Sequence, residues 1–119
     1  MHKIYFMPFI QISEIPSCEL IAGYDAQFIH TPAATFSHVR VKAGAALPIH
    51  SHVHEQVSYV LEGEFELTVD GVPHKLVNGQ VFVIPSNMPH AGLAITDCFI
   101  LDVFTSVRED YKAKGGVVL

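Results

Sequence analysis

Turn-forming residues interrupt this chain at short and regular intervals. Between residues 44 and 89 they are Gly44, Pro48, Gly63, the pair Asp70-Gly71, Pro73, the pair Asn78-Gly79, Pro85 and Pro89. Runs rich in Val, Ile, Phe and Leu separate these turns, and no window from residue 35 to 105 is long enough, free of Gly and Pro, to favour a helix. Short apolar runs at this spacing predict an all-β sandwich or barrel.

The apolar runs differ in how their two faces are composed. Residues 64 to 69 alternate strictly between polar and apolar side chains, which predicts a half-exposed strand. Asp70-Gly71 then predicts a tight hairpin turn, because both residue types tolerate positive φ angles. Residues 81 to 84 and 98 to 104 are apolar on both faces. We expect these two runs to be strands covered from two sides, in the middle of a sheet or in a subunit interface.

Length and charge restrict the organisation and the partners. A chain of 119 residues with 50% hydrophobic content suits one core, so we expect residues 1 to 119 to form a single domain. Charged residues make up only 16%, below the roughly 25% typical of soluble domains, which predicts an apolar interface and a homodimer. The net charge of -5 and the scattered Lys and Arg residues argue against nucleic acid as a partner.

The N-terminus and the cysteines indicate a cytoplasmic protein. Residues 1 to 12 are apolar, but Pro8 interrupts them and no cleavage site of the signal-peptide type follows, so neither a signal peptide nor a membrane span is predicted. Cys18 and Cys98 are far apart and form no C-x-x-C pattern, which argues against a disulfide framework and a zinc ribbon. Cys98 lies in an apolar run, as a buried thiol would.

A cluster of histidines carries the strongest functional signal. His52 and Gln56 lie two and six positions after His50, so a continuous strand would direct all three side chains to one face. Pro48 indicates that this strand begins just before the pair. His90 opens a later strand and adds a third imidazole. Three imidazoles and one amide oxygen predict a divalent transition metal, with Ni, Mn, Fe, Co and Zn all suitable, and leave room for water or substrate.

Other histidines leave alternatives open at this site. His54 continues the alternation and could replace Gln56 as a ligand or line the pocket. Gln56 itself could hydrogen-bond a bound water instead of the metal. The remaining histidines have no partner at ligand spacing, and we expect them at the surface or supporting the ligands; they are His2, His30, His38 and His74.

Two segments resemble the two motifs of the cupin superfamily. The first runs from Gly44 through the histidine pair to Gly63, and the second from Gly79 to His90, so the similarity covers about residues 44 to 94. The resemblance implies a small double-stranded β-helix, also called a jelly-roll barrel, with its core motifs in residues 39 to 104. One position departs from the usual pattern: Gln56 stands where most cupins have Glu. A neutral amide should weaken binding of hard cations and make the metal more Lewis-acidic.

The last apolar run contains an acidic residue that needs an explanation. Alternation places Asp102 on one face with Ile100 and Phe104, and a carboxylate among such neighbours is costly to bury unless it is paired. Asp102 is therefore a candidate for acid-base chemistry. The alternative is a structural carboxylate at a strand end that bonds nearby backbone or a histidine. After Val107 the chain turns polar, and we expect its end to fray.

A closer resemblance joins these segments. The stretch from His50 to Gln56, the stretch from Tyr59 to Glu66, and the later Asp102-Val103-Phe104 and Arg108-Glu109-Asp110-Tyr111 are similar to pectin-degradation cupins called KdgF, over about residues 39 to 111. That family also has Gln at the position of Gln56. The resemblance implies a metal-dependent enzyme that converts 4,5-unsaturated uronates, sugar acids released from pectin or alginate, to linear keto forms.

The same resemblance implies roles for three residues. Asp102 would move a proton, Phe104 would shape the wall of the pocket, and Arg108 would neutralise the substrate carboxylate. For Arg108 the sequence alone also allows a solvated residue on a polar tail. Two other functions stay open as well, a metal-dependent oxygenase and a non-catalytic module that binds a sugar acid, because one fold serves many functions.

Overall fold

β-strands dominate the computed structural model, which describes residues 8–119. A short 3-10 helix (Ile12–Glu14) precedes the first strand, and one short helix, α1 (Glu109–Lys112), follows the tenth. The strands are β1 (Cys18–Ile21), β2 (Tyr24–His30), β3 (Ala34–Val41), β4 (Ala46–His50), β5 (Glu55–Glu62), β6 (Glu64–Val69), β7 (Val72–Val77), β8 (Val81–Ile84), β9 (His90–Ala94), β10 (Cys98–Thr105) and β11 (Val117–Val118). The predicted all-β class is confirmed.

The strands form two sheets that share one core. The larger sheet has the order β1-β2-β3-β10-β5-β8, with β11 pairing in parallel with β2, and the smaller has the order β4-β9-β6-β7. Apolar side chains from both sheets meet between them and exclude water. The buried residues include Phe28, Val39, Val60, Phe65, Leu67 and Ile100. Two antiparallel sheets closed over a common core form the jelly-roll barrel that the sequence resemblance implies.

Strand β6 follows the predicted alternation along its whole length. Phe65, Leu67 and Val69 are buried, and the polar residues between them are partly exposed. Asp70 and Gly71 then have φ angles of 49° and 76°, and β7 returns antiparallel to β6. The hairpin prediction is confirmed, because these two residue types supply the positive φ angles that a two-residue turn needs.

The two runs that are apolar on both faces occupy different positions: the first alternative, a central strand, is confirmed for residues 98 to 104, and only the second, a subunit interface, stays open for residues 81 to 84. β10 lies in the interior of the larger sheet, between β3 and β5, and Cys98 at its start is buried. β8, in contrast, is the edge strand of that sheet, and Val81 and Val83 are 45% and 55% exposed. An apolar outer face does not by itself reveal whether a strand is central, so the homodimer stays a prediction.

β4 begins at Ala46, two residues before the start that Pro48 predicted. Pro48 lies inside β4, at a point where the register with β9 shifts between Leu47 and His50. A proline removes one donor from the ladder, and an irregular position tolerates that loss. The strand ends at His50, so the residues that follow it leave the sheet.

The C-terminal segment is folded back onto the larger sheet, which contradicts the predicted fraying. The ring of Tyr111 in α1 stacks on Phe28 with centroids 5.0 Å apart, and β11 pairs with Ile29 and His30 of β2. His30 is fully buried and contacts the carbonyl oxygen of Gly115 through Nε2 at 3.0 Å. These contacts join residues more than 80 positions apart, which local sequence patterns cannot reveal.

Two further predictions concern the cysteines and the membrane. Cys18 and Cys98 are free thiols, as expected. Among residues 8–119, no helix is long and apolar enough to cross a membrane.

Gly63 connects β5 to β6 where the chain leaves no room for a side chain. Its φ is +88°, and a Cβ there would collide with the carbonyl oxygen of Asp97 and lie 2.8 Å from Thr96 Oγ1. Gly71 also has a positive φ, but a Cβ on it would meet no atom within 4 Å. We expect Gly71→Ala to cost about 1 kcal/mol of unfolding free energy, from its left-handed backbone alone.

Gly63→Ala should cost at least about 2 kcal/mol more than Gly71→Ala, because steric overlap adds to the same backbone strain. Urea unfolding of the two variants and the parent measures the difference. Equal losses in the two variants would show that the collision at Gly63 is relieved without cost.

Candidate functional site

Three imidazoles converge at one end of the barrel. His50 is the last residue of β4 and pairs across the ladder with His90, the first residue of β9. His52 lies in the loop after β4. One ring nitrogen from each of the three lies within 4.8 Å of the others. The predicted grouping is present, but strand alternation does not produce it, because β4 ends at His50.

Each of these imidazoles is oriented by a contact between its Nδ1 and the backbone. In every case the partner is the carbonyl oxygen of a residue two positions away. The pairs are His50 with Pro48 at 2.9 Å, His52 with His54 at 2.9 Å, and His90 with Met88 at 2.8 Å. A carbonyl oxygen only accepts, so each Nδ1 carries the hydrogen. The lone pair of each ring is therefore on Nε2, which is the usual arrangement of a metal-binding histidine.

The free Nε2 atoms lack the partners that buried polar groups require. Nε2 of His90 is buried and has no hydrogen-bond partner among residues 8–119. Nε2 of His52 lies 3.0 Å from Oε1 of Gln56. With the hydrogen on Nδ1, both of these atoms are acceptors, and two lone pairs facing each other repel. A cation between them would turn this repulsion into two favourable contacts, so the donor set fits a metal ion.

The orientation of the Gln56 amide follows from its other contacts. Its Nε2 donates to Oγ of Ser58 at 3.0 Å and to Oδ1 of Asp102 at 3.1 Å. Reversing the amide would place Oε1 against the Asp102 carboxylate, where two acceptors would meet. Oε1 therefore faces His52, and Gln56 joins the imidazole cluster to Asp102.

Burial favours the neutral imidazoles that a metal requires. Desolvation lowers the pKa of His90 to about 4, against an opposing contribution from the carbonyl of Met88. Burial also lowers the pKa of His52, and the positive charge of Arg108 acts in the same direction. Both rings are therefore unprotonated near neutral pH and can donate a lone pair without first losing a proton.

Asp102 lies on the inner face of β10, between Ser37 of β3 and Ser58 of β5. Ser58 Oγ donates to Asp102 Oδ1 at 2.6 Å. Burial raises the pKa of the Asp102 carboxyl, and the hydrogen bonds from Ser58 and Gln56 partly oppose that rise. The alternative of a carboxylate at a strand end that bonds backbone or histidine does not match these partners, because both are side chains that line the same cavity.

Phe104 and Arg108 lie beside the cluster, as the resemblance implied. Phe104 pairs with Gln56 across the ladder, and its ring meets that of His52 edge-on, with centroids 5.5 Å apart. The guanidinium carbon of Arg108 lies 4.8 Å from the Phe104 ring centroid and 3.8 Å from that of Tyr111. Arg108 is only 7% exposed, so the reading of a solvated tail residue is wrong.

The guanidinium of Arg108 is held by a carboxylate of its own segment. Nε and Nη2 donate to Asp110 at 2.9 Å and 2.6 Å, while the buried Nη1 has no partner among residues 8–119. These hydrogen bonds lower the pKa of Asp110 to about 2. The backbone N–H of Arg108 donates to Oγ1 of Thr35 at 2.9 Å, and the His30 ring contacts the same hydroxyl.

One cavity of about 160 Å³ connects these groups. Its walls include His50, His90, Gln56, Asp102, Phe104 and Arg108. Sequence reasoning missed Ser58, Tyr111 and Lys114, which also line it. Ser58 could have been found, because it lies two positions after Gln56 on the same face of β5. Tyr111 and Lys114 could not, because they follow the last long strand.

The other histidines lie outside the group of three. The ring of His54 is 5.7 Å from that of His52, but His54 is neither in the group of three nor among the residues that line the cavity. His30 is a buried structural residue, not a surface one. His38 contacts the carbonyl of Gln27, and His74 packs against Phe82. His2 lies outside the described residues.

Comparison with known proteins agrees with this geometry. The cupin-domain family matches residues 37–104, more than half of the chain. The chain belongs to the cupin family.

Three individual cupins are similar to this chain. Over 75 residues the chain is 29% identical to the pectin degradation protein KdgF of Dickeya dadantii (strain 3937), an alignment that covers 61% of this chain and 68% of that one. The solved structure of KdgF from Halomonas sp. is 28% identical, with a TM-score of 0.84, and covers 89% of this chain and 99% of its own. An RmlC-like cupin from Shewanella frigidimarina NCIMB 400 is 30% identical, with a TM-score of 0.83, and covers 89% and 96%. The resemblance of this cupin to KdgF is thereby confirmed.

Ser37 and Ser58 offer a matched pair for testing the support of Asp102. Both are buried beside Asp102, but Ser58 Oγ donates to the carboxylate, whereas Ser37 Oγ has no partner among residues 8–119. We expect Ser58→Ala to lower the unfolding free energy by about 1 to 3 kcal/mol, because a buried carboxylate loses a donor. Ser37→Ala should change it by less than about 0.5 kcal/mol. Urea unfolding at neutral pH measures both, and equal effects would contradict the assigned hydrogen bond.

Proposed function

We propose that His50, His52, His90 and Gln56 hold a divalent transition metal. The unpartnered Nε2 of His90 and the acceptor pair formed by His52 and Gln56 support this assignment. Ni, Mn, Fe, Co and Zn all suit imidazole and amide ligands. When bound, such an ion supplies a Lewis acid that polarises a substrate oxygen.

We further propose that this cupin converts 4,5-unsaturated uronates, from pectin or alginate breakdown, to linear keto forms. The observation that carries the proposal is Asp102, hydrogen-bonded to Ser58 and Gln56 in the cavity that His50, His90 and Arg108 also line. A proton-transfer group, a metal-binding group and a cation for a carboxylate thus share one small space. The similarity to a protein named for pectin degradation supports the same substrate class.

The reaction needs no oxidant and no water. The hemiacetal hydroxyl of the substrate loses its proton as the bond between the ring oxygen and the hemiacetal carbon breaks, which leaves an aldehyde and an enol. The enol becomes a ketone when a proton is added to the carbon at the far end of its double bond. All atoms of the substrate are retained, so a single group that accepts and returns a proton is sufficient.

The residues of this cavity match those needs. Asp102 accepts and returns the proton, and its raised pKa brings the carboxyl closer to neutral pH, where such exchange is efficient. Ser58 and Gln56 hold the carboxyl in one orientation. Arg108 faces the carboxylate of the substrate, and the Phe104 ring forms an apolar wall that limits access of water.

Loss of one imidazole should abolish metal retention. We expect His90→Gln to weaken metal binding at least about tenfold. Removing a residue that only hydrogen-bonds a metal ligand already lowers affinity by about that factor, and removing the ligand itself should lower it at least as much. His54→Gln is the matched control, because His54 also lies near His52 but outside the cluster. The measurement is metal per protein by mass spectrometry after dialysis against a chelator, with circular dichroism to confirm folding. Equal retention in folded His90→Gln and parent protein would refute the ligand assignment.

Asp102→Asn should remove catalysis while leaving the metal in place. The ring double bond of an unsaturated galacturonate is conjugated with its carboxylate, so ring opening is followed as loss of ultraviolet absorbance. We expect kcat to fall by about 10²-fold or more, the usual contribution of a general acid or base. Asp25→Asn, on an exposed position of β2, should leave the rate unchanged.

Three results would redirect the assignment. A metal-loaded protein that does not accelerate the loss of absorbance excludes the uronate reaction. Oxygen consumption with iron in the site would support an oxygenase instead. Unchanged ligand binding without any turnover, in both the parent and Asp102→Asn, would indicate a binding module.

A further inference from the structure

The C-terminal segment brings a second cation to the cavity. Lys114 follows α1 and lines the same cavity as Asp102 and Arg108. Its backbone N–H donates to the carbonyl of Tyr111 at 2.9 Å. The next residue, Gly115, accepts a hydrogen bond from the fully buried His30. The side chain of Lys114 is exposed, but its backbone is therefore tied to the barrel on both sides.

The positive charge of Arg108 is largely neutralised by Asp110, two residues further along the chain. Asp110 takes the hydrogen bonds of Nε and Nη2, and this ion pair carries no net charge. Its third nitrogen, Nη1, is buried and has no hydrogen-bond partner among residues 8–119. Asp102, when ionised, adds a negative charge to the cavity wall. Apart from a metal ion held by the imidazoles, the side chains of the cavity therefore offer little net positive charge to an anionic substrate.

Lys114 can add a positive charge beside Arg108. Among residues 8–119 it forms no ion pair, unlike Lys75, which pairs with Glu64. A lysine ammonium on a flexible stem can reach an anion whose other oxygen is held by a planar, immobile guanidinium. The two cations would act together on one carboxylate, Arg108 fixing its orientation and Lys114 balancing its charge.

We propose that Lys114 binds the substrate carboxylate together with Nη1 of Arg108 and so sets the preference for a free uronic acid over its neutral ester. This inference rests on the proposed function and deepens it.

The test compares Lys114→Met with Lys112→Met in the metal-loaded, full-length protein. Both substitutions remove one lysine charge from the C-terminal segment, but Lys112 does not line the cavity. We expect Lys114→Met to raise KM for unsaturated galacturonate about fivefold, which is the size of effect that loss of one solvent-exposed ion pair produces. The value of kcat should change less than about twofold, because Lys114 takes no part in the proton transfer. Lys112→Met should match the parent, and Lys114→Arg should restore most of the affinity.

The methyl ester of the same substrate gives a second readout that a structural effect would not reproduce. The parent protein should prefer the free acid over the ester, and Lys114→Met should lose most of that preference. An unchanged preference in Lys114→Met, or a fall in kcat at constant KM, would overturn the role of Lys114.

Saturated D-galacturonate separates this inference from the proposed reaction. If the parent protein does not turn over the unsaturated sugar but binds galacturonate, and Lys114→Met weakens that binding while Lys112→Met does not, the carboxylate site stands and the reaction falls. If galacturonate binds equally to all three proteins, or to none, the inference falls as well. Isothermal titration calorimetry measures the three affinities.

Discussion

The side-chain amide of Gln56 joins the two halves of the candidate site. Its oxygen lies 3.0 Å from Nε2 of His52, and its nitrogen lies 3.1 Å from the Asp102 carboxylate. A carboxylate at this position would place two acidic groups about as close together, and one of them would then have to bind a proton. An amide avoids that conflict because it accepts on one side and donates on the other. A neutral residue at position 56 is therefore a condition for keeping Asp102 where it is.

The two sheets impose this arrangement through their ladders. β5 carries Gln56 and Ser58 with one residue between them, and β10 places Phe104 and Asp102 directly opposite these two. The smaller sheet contributes His50 and His90 as a directly paired couple. Each pairing is set by backbone hydrogen bonds over a whole strand, so the side chains at the site are positioned by rigid elements. Only His52 depends on a loop, and its ring is held by the carbonyl of His54.

The sequence predicted those parts of the structure that depend on local conformation. Gly44, Gly63 and Gly79 all have φ angles between 84° and 88°, where a glycine has no Cβ to strain, so the turns of both motifs could be placed from residue type. Alternation identified the inner faces of β6 and β10, because successive side chains of a strand point to opposite faces. The histidine cluster was found through its spacing, although the assumed continuous strand through His52 does not exist.

The errors share a different physical origin. The C-terminal segment was misjudged, and the position of β8 was left open between a central and an interface strand, because both environments depend on partners far away in sequence. Whether Val83 is covered depends on which strand lies beyond β8, and β8 has no neighbour there among residues 8–119. The C-terminal segment is held by Tyr111 on Phe28 and by the contact of His30 with Gly115, neither of which a polar tail suggests. At the C-terminus, long-range packing overrode the local composition.

The groups of the candidate site lie on two kinds of element. The groups proposed to bind metal and move protons lie on or beside paired strands, where a change in one residue disturbs its neighbours across the ladder. The cations facing the cavity lie on the segment after β10, which contacts the barrel through a few side chains and the short strand β11. Arg108 nevertheless acts on the central groups, because its positive charge lowers the pKa of His52 and its guanidinium packs on the Phe104 ring. The proposed recognition of the substrate's charge and the proposed chemistry therefore share one cavity but are positioned by different elements of the fold.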